Sequence, residues 1–223
     1  MAGRGWYTLH ATFICMSTLL KKLPRSFYLR PTITVARDLL GRYFVRNIGT
    51  TRLIGKIVEV EAYLGERDPA SHTFRGRTKR NEVMFWEGGH LYVYFTYGMH
   101  FCANIVTEKA GIGHAVLVRA VEPIEGIQAM RRRRGLKKEQ TRPHQITGGP
   151  AKFCQAFRIS RAENGTDLTG TSIHLTTGTP VPPGQIRTSR RIGISRGREK
   201  RLRFYISGAA SLSRNERSPT HIK

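Results

Sequence analysis

Apolar and polar positions divide this chain into short alternating runs separated by turns. From Leu53 to Tyr63, Val58, Val60 and Ala62 point one way and Ile57, Glu59, Glu61 and Tyr63 the other, which predicts a strand with two distinct faces. The stretch Leu91 to Ile105 reads as two apolar strands joined at a tight turn whose tip carries Tyr97, Met99 and His100. Ala115 to Val121 predicts another strand, with Ala115, Leu117, Arg119 and Val121 on one face. Tyr43 to Arg46 starts a strand, Asn47 to Thr50 makes a turn, and Leu202 to Ile206 forms a late strand. Helices are fewer. One follows Arg30-Pro31, with Thr32 or Thr34 as cap and Gly41 at its end; a second spans Ile124 to Arg134, introduced by Pro123 and ended by Gly135. A third starts at Gly148-Gly149-Pro150 and continues through Phe157. Leu64 to Asn81 reads as a polar loop, Leu136 to Thr147 as polar and mobile, and the tail from Ser207 as frayed. Strands outnumber helices and follow one another, so a mixed antiparallel α+β domain is expected rather than a wound parallel sheet.

Composition narrows the setting. The 223 residues suit one domain with a sizeable core, and a hydrophobic fraction of 39% fits a folded chain. The 38 Lys and Arg against 15 Asp and Glu give a formal charge of +23, which points to a polyanionic partner. Cysteine is sparse (Cys15, Cys102 and Cys154), with no CxxC pair, so neither a disulfide framework nor a zinc site is expected, and a reducing, intracellular setting is. No stretch is apolar enough to span a bilayer. Between Tyr7 and Leu20 the chain is moderately apolar, but Lys21 and Lys22 follow it, the wrong order for a secretory signal. A plainer expectation is that Met16 is the native start.

Several side chains stand out chemically. Aromatic and large apolar residues gain nothing from water on a bare turn, so Tyr97 and Met99 on a strongly basic protein suggest a wedge that enters a nucleic acid. Glu61 shares a strand face with Tyr63 and Ile57, where a partly desolvated carboxylate can serve as a general base; on pattern alone Glu59 is equally eligible. Arg119 interrupts an apolar strand face, and a guanidinium there needs an acidic partner, for which Glu61 and Glu59 are candidates; a purely structural ion pair is the alternative. Tyr63, His72, Tyr92 and Tyr94 form an aromatic set suited to stacking on an extruded base, or to an ordinary core. Asn104, an amide on an apolar strand, needs partners or reads a base edge. The helix start at Gly149-Pro150-Ala151-Lys152 offers backbone N–H groups and Lys152 to a phosphate. The runs Arg75 to Arg80, Arg131 to Lys138 and Arg187 to Arg203 read as solvated faces that together track phosphates.

These motifs, in this order, resemble the alkyladenine (3-methyladenine) DNA glycosylases. The resemblance rests on Gly55 to Gly65, then Asp68, Ala70 and His72; on Leu91 to Tyr94, the Tyr97-Gly98-Met99 turn and Asn104; and on Leu117 to Pro123, Gly149 to Lys152 and Leu202 to Tyr205. It implies a single mixed domain with a curved antiparallel sheet, flanking helices and a protruding β-hairpin. By its extent, residues 1–22 are an extension, 23–208 the glycosylase domain and 209–223 a polar tail. It also implies hydrolysis of the N-glycosidic bond of 3-methyladenine, 7-methylguanine, hypoxanthine or ethenoadenine in double-stranded DNA. Glu61, rather than Glu59, would activate water with Arg119 holding both. Tyr63, His72 and Tyr94 would line the pocket, Asn104 would clash with the 2-amino group of normal guanine, and Tyr97 would insert into the space the base leaves. A monofunctional monomer without metal, other cofactor or membrane attachment is expected, at a bacterial nucleoid or, in a eukaryote, in the nucleus. The chain departs from the family at His100, in its N-terminal residues, and at Ala209-Ala210-Ser211, where a Pro-containing finish is usual. A non-catalytic nucleic-acid-binding domain is the alternative; a base deaminase is disfavoured by the missing HxE…PCxxC signature.

Overall fold

The protein is described here by a computed structural model, covering residues 20–96, 98–137 and 141–213. The alternation read along the first long strand extends in both directions. Strand β1 (Tyr43–Ile48) turns back into β2 (Thr51–Leu64), the longest strand of the fold. The hairpin follows as β3 (Leu91–Thr96) and β4 (His100–Thr107), and then β5 (His114–Glu125). Three short strands close the sheet: β6 (Ile173–Thr176), β7 (Ile186–Ser189) and β8 (Arg203–Ile206). The order is β3-β4-β5-β2-β1-β6, with β8 also on β2 and β7 on β8, and every pairing is antiparallel.

Strand β2 organises the molecule. On one edge it pairs with β5; on the other, its first part pairs with β1 and Glu59–Glu61 pair with β8. Register shifts against β5 at Ile54/Gly55, Ile57/Glu59 and Glu59/Val60 bend the strand where it changes partner. From Ile57 to Ala62 it is buried on both faces, so its carboxylates lie inside the protein. The core joins this strand to helices α1 (Arg25–Tyr28), α2 (Thr32–Leu39), α3 (Ile127–Arg133), α4 (Pro143–Thr147) and α5 (Pro150–Ala156). Phe44 meets Phe153 and Phe157 edge-on, with centroids 5.0 and 5.5 Å apart. Among the described residues no helix is long and apolar enough to cross a membrane.

The α+β class is as expected, and the local differences have physical reasons. Neither Thr32 nor Thr34 caps α2: Pro31 holds the N-cap position, and the backbone N–H of Thr32 donates to Glu108 Oε1 at 3.0 Å, a distant carboxylate at the helix N-terminus. Pro123 does not open a helix. It stays within β5 opposite Gly55, beside a register shift where a missing N–H is tolerated, and Gly126 at φ 75° makes the break before α3. Part of the segment read as mobile forms α4, with Ile146 and Thr147 buried. The chain after Ser207 is not frayed as far as residue 213: Ser211 and Leu212 are buried, and Leu212 belongs to the main core. Strands β6 and β7 carry no period that marks them in the sequence. The proposed start at Met16 and the tip residue Tyr97 lie outside the described residues.

Candidate active site

Strands β2, β3, β4 and β5 hold one wall of a cavity of about 510 Å³, and the loop from Ile192 to Arg196 forms another. Tyr63, His72, Tyr92, Tyr94, Asn104 and Arg119 all line it, so six of the residues singled out by sequence come together. The ring centroids of His72 and Tyr94 are 4.4 Å apart at 74°, and Tyr92 stacks against Tyr94 at 5.6 Å. His72 Nδ1 is 3.0 Å from the Tyr92 hydroxyl. Burial and the nearby Arg80 charge hold the His72 imidazole below its usual pKa, so the ring is neutral at pH 7 and does not repel a cationic ligand. Burial pushes the Tyr92 phenol up to about 12 and Tyr94 higher still. Asn104 is buried, with Nδ2 donating to the Tyr92 carbonyl at 3.3 Å.

Beneath this cavity lies a network of three carboxylates and three guanidiniums, each side chain at most 8% exposed. Glu61 is fully enclosed. Its Oε1 accepts the Ile192 N–H at 2.8 Å and lies 3.2 Å from Arg119 Nη1, while Oε2 accepts the Tyr63 hydroxyl at 2.9 Å. All three of these partners line the cavity; the Glu61 carboxylate itself sits behind them. Burial, and then the Glu61 charge, push the Tyr63 phenol far above its ordinary pKa, so it remains a donor. Glu59 has a different surrounding. Its Oε1 accepts Arg119 Nε at 2.9 Å, Arg203 Nε at 2.8 Å and the Ser213 hydroxyl at 2.6 Å, and Oε2 accepts the Ser213 N–H at 2.7 Å. Burial alone would raise the Glu59 pKa; Arg203, Arg119 and Ser213 more than offset it and hold the group ionised.

The third pair is Asp68 with Arg191. Arg191 donates through Nη2 to Oδ1 at 2.6 Å and through Nη1 to Oδ2 and, at 2.9 Å, to the Ala62 carbonyl, with its guanidinium 4.6 Å from the Tyr63 ring centroid. Arg191 and Arg203 correct the expectation that the 187–203 charge run is only a solvated face. Counting charges could have found them: Glu59, Glu61 and Asp68 need three buried cations, and Arg119 supplies one. The contribution of the Ile192 amide had no sequence signal, because a backbone N–H is present at nearly every residue.

Two other expected residues stand apart from the cavity lining. Lys152 Nζ donates to the His144 carbonyl at 3.3 Å, and Met99 is 70% exposed on the hairpin turn, next to Gly98 at φ 66°. Among the described residues, no group of three or more His, Cys, Asp or Glu is placed to hold a metal ion.

Comparison with known proteins gives this geometry a context. A family model described as Methylpurine-DNA glycosylase (MPG) matches residues 26–210. A protein of Carboxydothermus hydrogenoformans named "Putative 3-methyladenine DNA glycosylase" is 49% identical over 193 residues, covering 86% of this chain and 98% of its own. Proteins of the same name from Chlorobaculum tepidum and Methanoculleus marisnigri are 46% identical over 201 residues and 45% identical over 195 residues. They cover 90% and 86% of this chain, and 94% and 98% of their own.

Proposed function

This chain belongs to the methylpurine-DNA glycosylase family, and from that premise we propose that it excises alkylated or deaminated purines from double-stranded DNA by base flipping and water attack. A purine N-glycosidic bond is buried in the duplex, so the nucleotide must rotate out before water reaches C1′. The observation that carries the reading is the enclosed Glu61 carboxylate, held by three groups that all face one ring-lined cavity.

In this reading the flipped purine stacks against Tyr63, His72 and Tyr94, with Asn104 against its edge. A neutral imidazole and protonated phenols suit 3-methyladenine or 7-methylguanine, whose rings carry positive charge. Among the described residues, Glu61 Oε2 accepts a single hydrogen bond, which leaves a lone pair for a water entering between Tyr63 and Arg119. The water oxygen forms a bond to C1′, the C1′–N bond breaks with its electron pair going to the purine, and Glu61 takes the water proton. A cationic purine leaves neutral; hypoxanthine or ethenoadenine leaves as an anion and takes its proton from solvent. Arg119 orients Glu61 and the water, while Glu59, saturated by two guanidiniums and Ser213, holds Arg119 rather than serving as the base. Tyr97 and Met99 fill the space the base vacates.

Single-turnover excision from duplexes containing 3-methyladenine or hypoxanthine tests this. Wild-type protein is expected to release free base and leave an abasic site. Glu61→Gln is expected to bind the same DNA with a rate lower by about 10²–10⁴-fold. A wild-type rate in Glu61→Gln would remove Glu61 from the mechanism, and binding without any release by the wild type would favour a non-catalytic DNA-binding domain.

A further inference from the structure

The family match ends at residue 210, yet the chain beyond it reaches the ion network under the cavity. The Ala210 N–H donates to Glu122 Oε1 on β5 at 3.2 Å, and Leu212 then enters the main core. Between them Ser211 crosses Gly148, where a Cβ would stand 2.5 Å from the His144 carbonyl oxygen and 2.8 Å from that of Ser211; a residue without a side chain fits between the preceding helix and the tail. Gly148 bridges Ala120, and the next N–H, of Gly149, donates to the Arg119 carbonyl. The tail is therefore laid along the same backbone that carries Arg119.

Ser213 lies at the end of this path. Its N–H and hydroxyl both donate to Glu59, and its Oγ accepts Arg119 Nη2 at 3.3 Å. A hydroxyl has one proton to give and lone pairs to accept, so this one side chain serves the carboxylate and the guanidinium together. Arg119 is thereby held at three nitrogens: Nε on Glu59, Nη2 on Ser213 and Nη1 beside Glu61. The Ser213 contacts also carry part of the negative charge of Glu59. Without them Glu59 draws more on Arg119, at the expense of Glu61.

We propose that Ser213, contributed by a C-terminal segment outside the family match, is a positioning residue that holds Arg119 in place over Glu61. The inference rests on the role of Glu61 proposed above and extends it to the tail. Ser213 touches neither DNA nor water in this scheme; it acts through Arg119.

The test compares wild type, Ser213→Ala and Ser213→Thr in full-length protein. Single-turnover excision by Ser213→Ala, assayed well below its unfolding temperature, is expected to slow by about 10- to 100-fold, the effect of misplacing a catalytic group by around an ångström, with lesion-DNA affinity unchanged. Ser213→Thr, which keeps the hydroxyl, is expected to restore the rate. An undiminished rate in Ser213→Ala overturns the proposal, as does a slower rate that tracks a lower unfolding temperature and is not restored by threonine. Exchange of the Arg119 guanidinium protons, followed by NMR, needs no activity. Faster exchange in Ser213→Ala supports the proposal, and equal exchange overturns it even if the wild type excises nothing, a result that would count against the glycosylase reading separately.

Discussion

Asp68 and Arg191 are both fully buried, and each is satisfied mainly by the other. Removing one charge from such a pair leaves its partner uncompensated in a low-dielectric interior. Asp68→Asn is therefore expected to destabilise the fold by about 3–5 kcal/mol, read as a lower urea midpoint. The pair also sets an acid limit. Burial would raise the Asp68 pKa, but Arg191 and the amides of Leu64 and Ala70 bring it below the ordinary value. A carboxyl depressed in the folded state contributes stability that is present above its unfolded value, roughly pH 4, and is lost as the pH falls through the folded value. The wild-type urea midpoint should drop below that pH, and the drop should be shallower in Asp68→Asn. Equal slopes would show that Asp68 is not a source of acid lability. Arg191 also immediately precedes the Ile192 amide that bonds Glu61, so this ion pair anchors a cavity wall as well as the fold.

The hairpin is the element whose shape is most clearly tied to its proposed task. Thr96 pairs with His100, leaving positions 97–99 to join the strands, and Met99 stands well out of the protein. The strands behind the turn carry Tyr92, Tyr94 and Asn104, which line the cavity, so the same hairpin that presents Met99 also builds one wall of that cavity. Tyr97→Ser is expected to lower the flipped fraction of an ethenoadenine lesion, seen by its fluorescence, by more than it lowers affinity for undamaged duplex. Unstacking costs a few kcal/mol per step, which in the proposed scheme the Tyr97 ring offsets. Equal losses in the two measurements would count against the wedge. Elsewhere, element boundaries were less legible than element types. Pro123 looks like a helix start, but β5 continues through it because β2 is bulged opposite. A partner strand distant in sequence decided that boundary.

At the scale of the molecule, the three carboxylates under the cavity cancel the three guanidiniums that pair with them, so the formal +23 comes from the remaining residues. Such an excess makes DNA affinity steeply salt dependent, because each neutralised phosphate releases counterions. If about six phosphates are engaged, affinity for undamaged duplex should fall on the order of 10³-fold between roughly 50 and 200 mM salt, with a linear log–log plot. A flat response would reject a phosphate-tracking surface. Arg191 and Arg203 contribute nothing to that surface, since their charge is consumed inside.

The sequence by itself determined the strand periods of β2, β4 and β5, and with them which residues share a face. That was enough to set Glu59 and Glu61 beside Tyr63 and to demand an acidic partner for Arg119, because strand alternation is a local geometric rule; His72, in the loop after β2, joins Tyr92 and Tyr94 only in the fold. Only the tertiary structure decided which carboxylate has the cavity on its far side, which arginines of the 187–203 run are buried, and that Ser213 closes the network. The partners in those contacts lie 123 to 154 residues apart along the chain. No local period records which distant charge will offset a buried one; the bend of β2 and the return of the tail across Gly148 do.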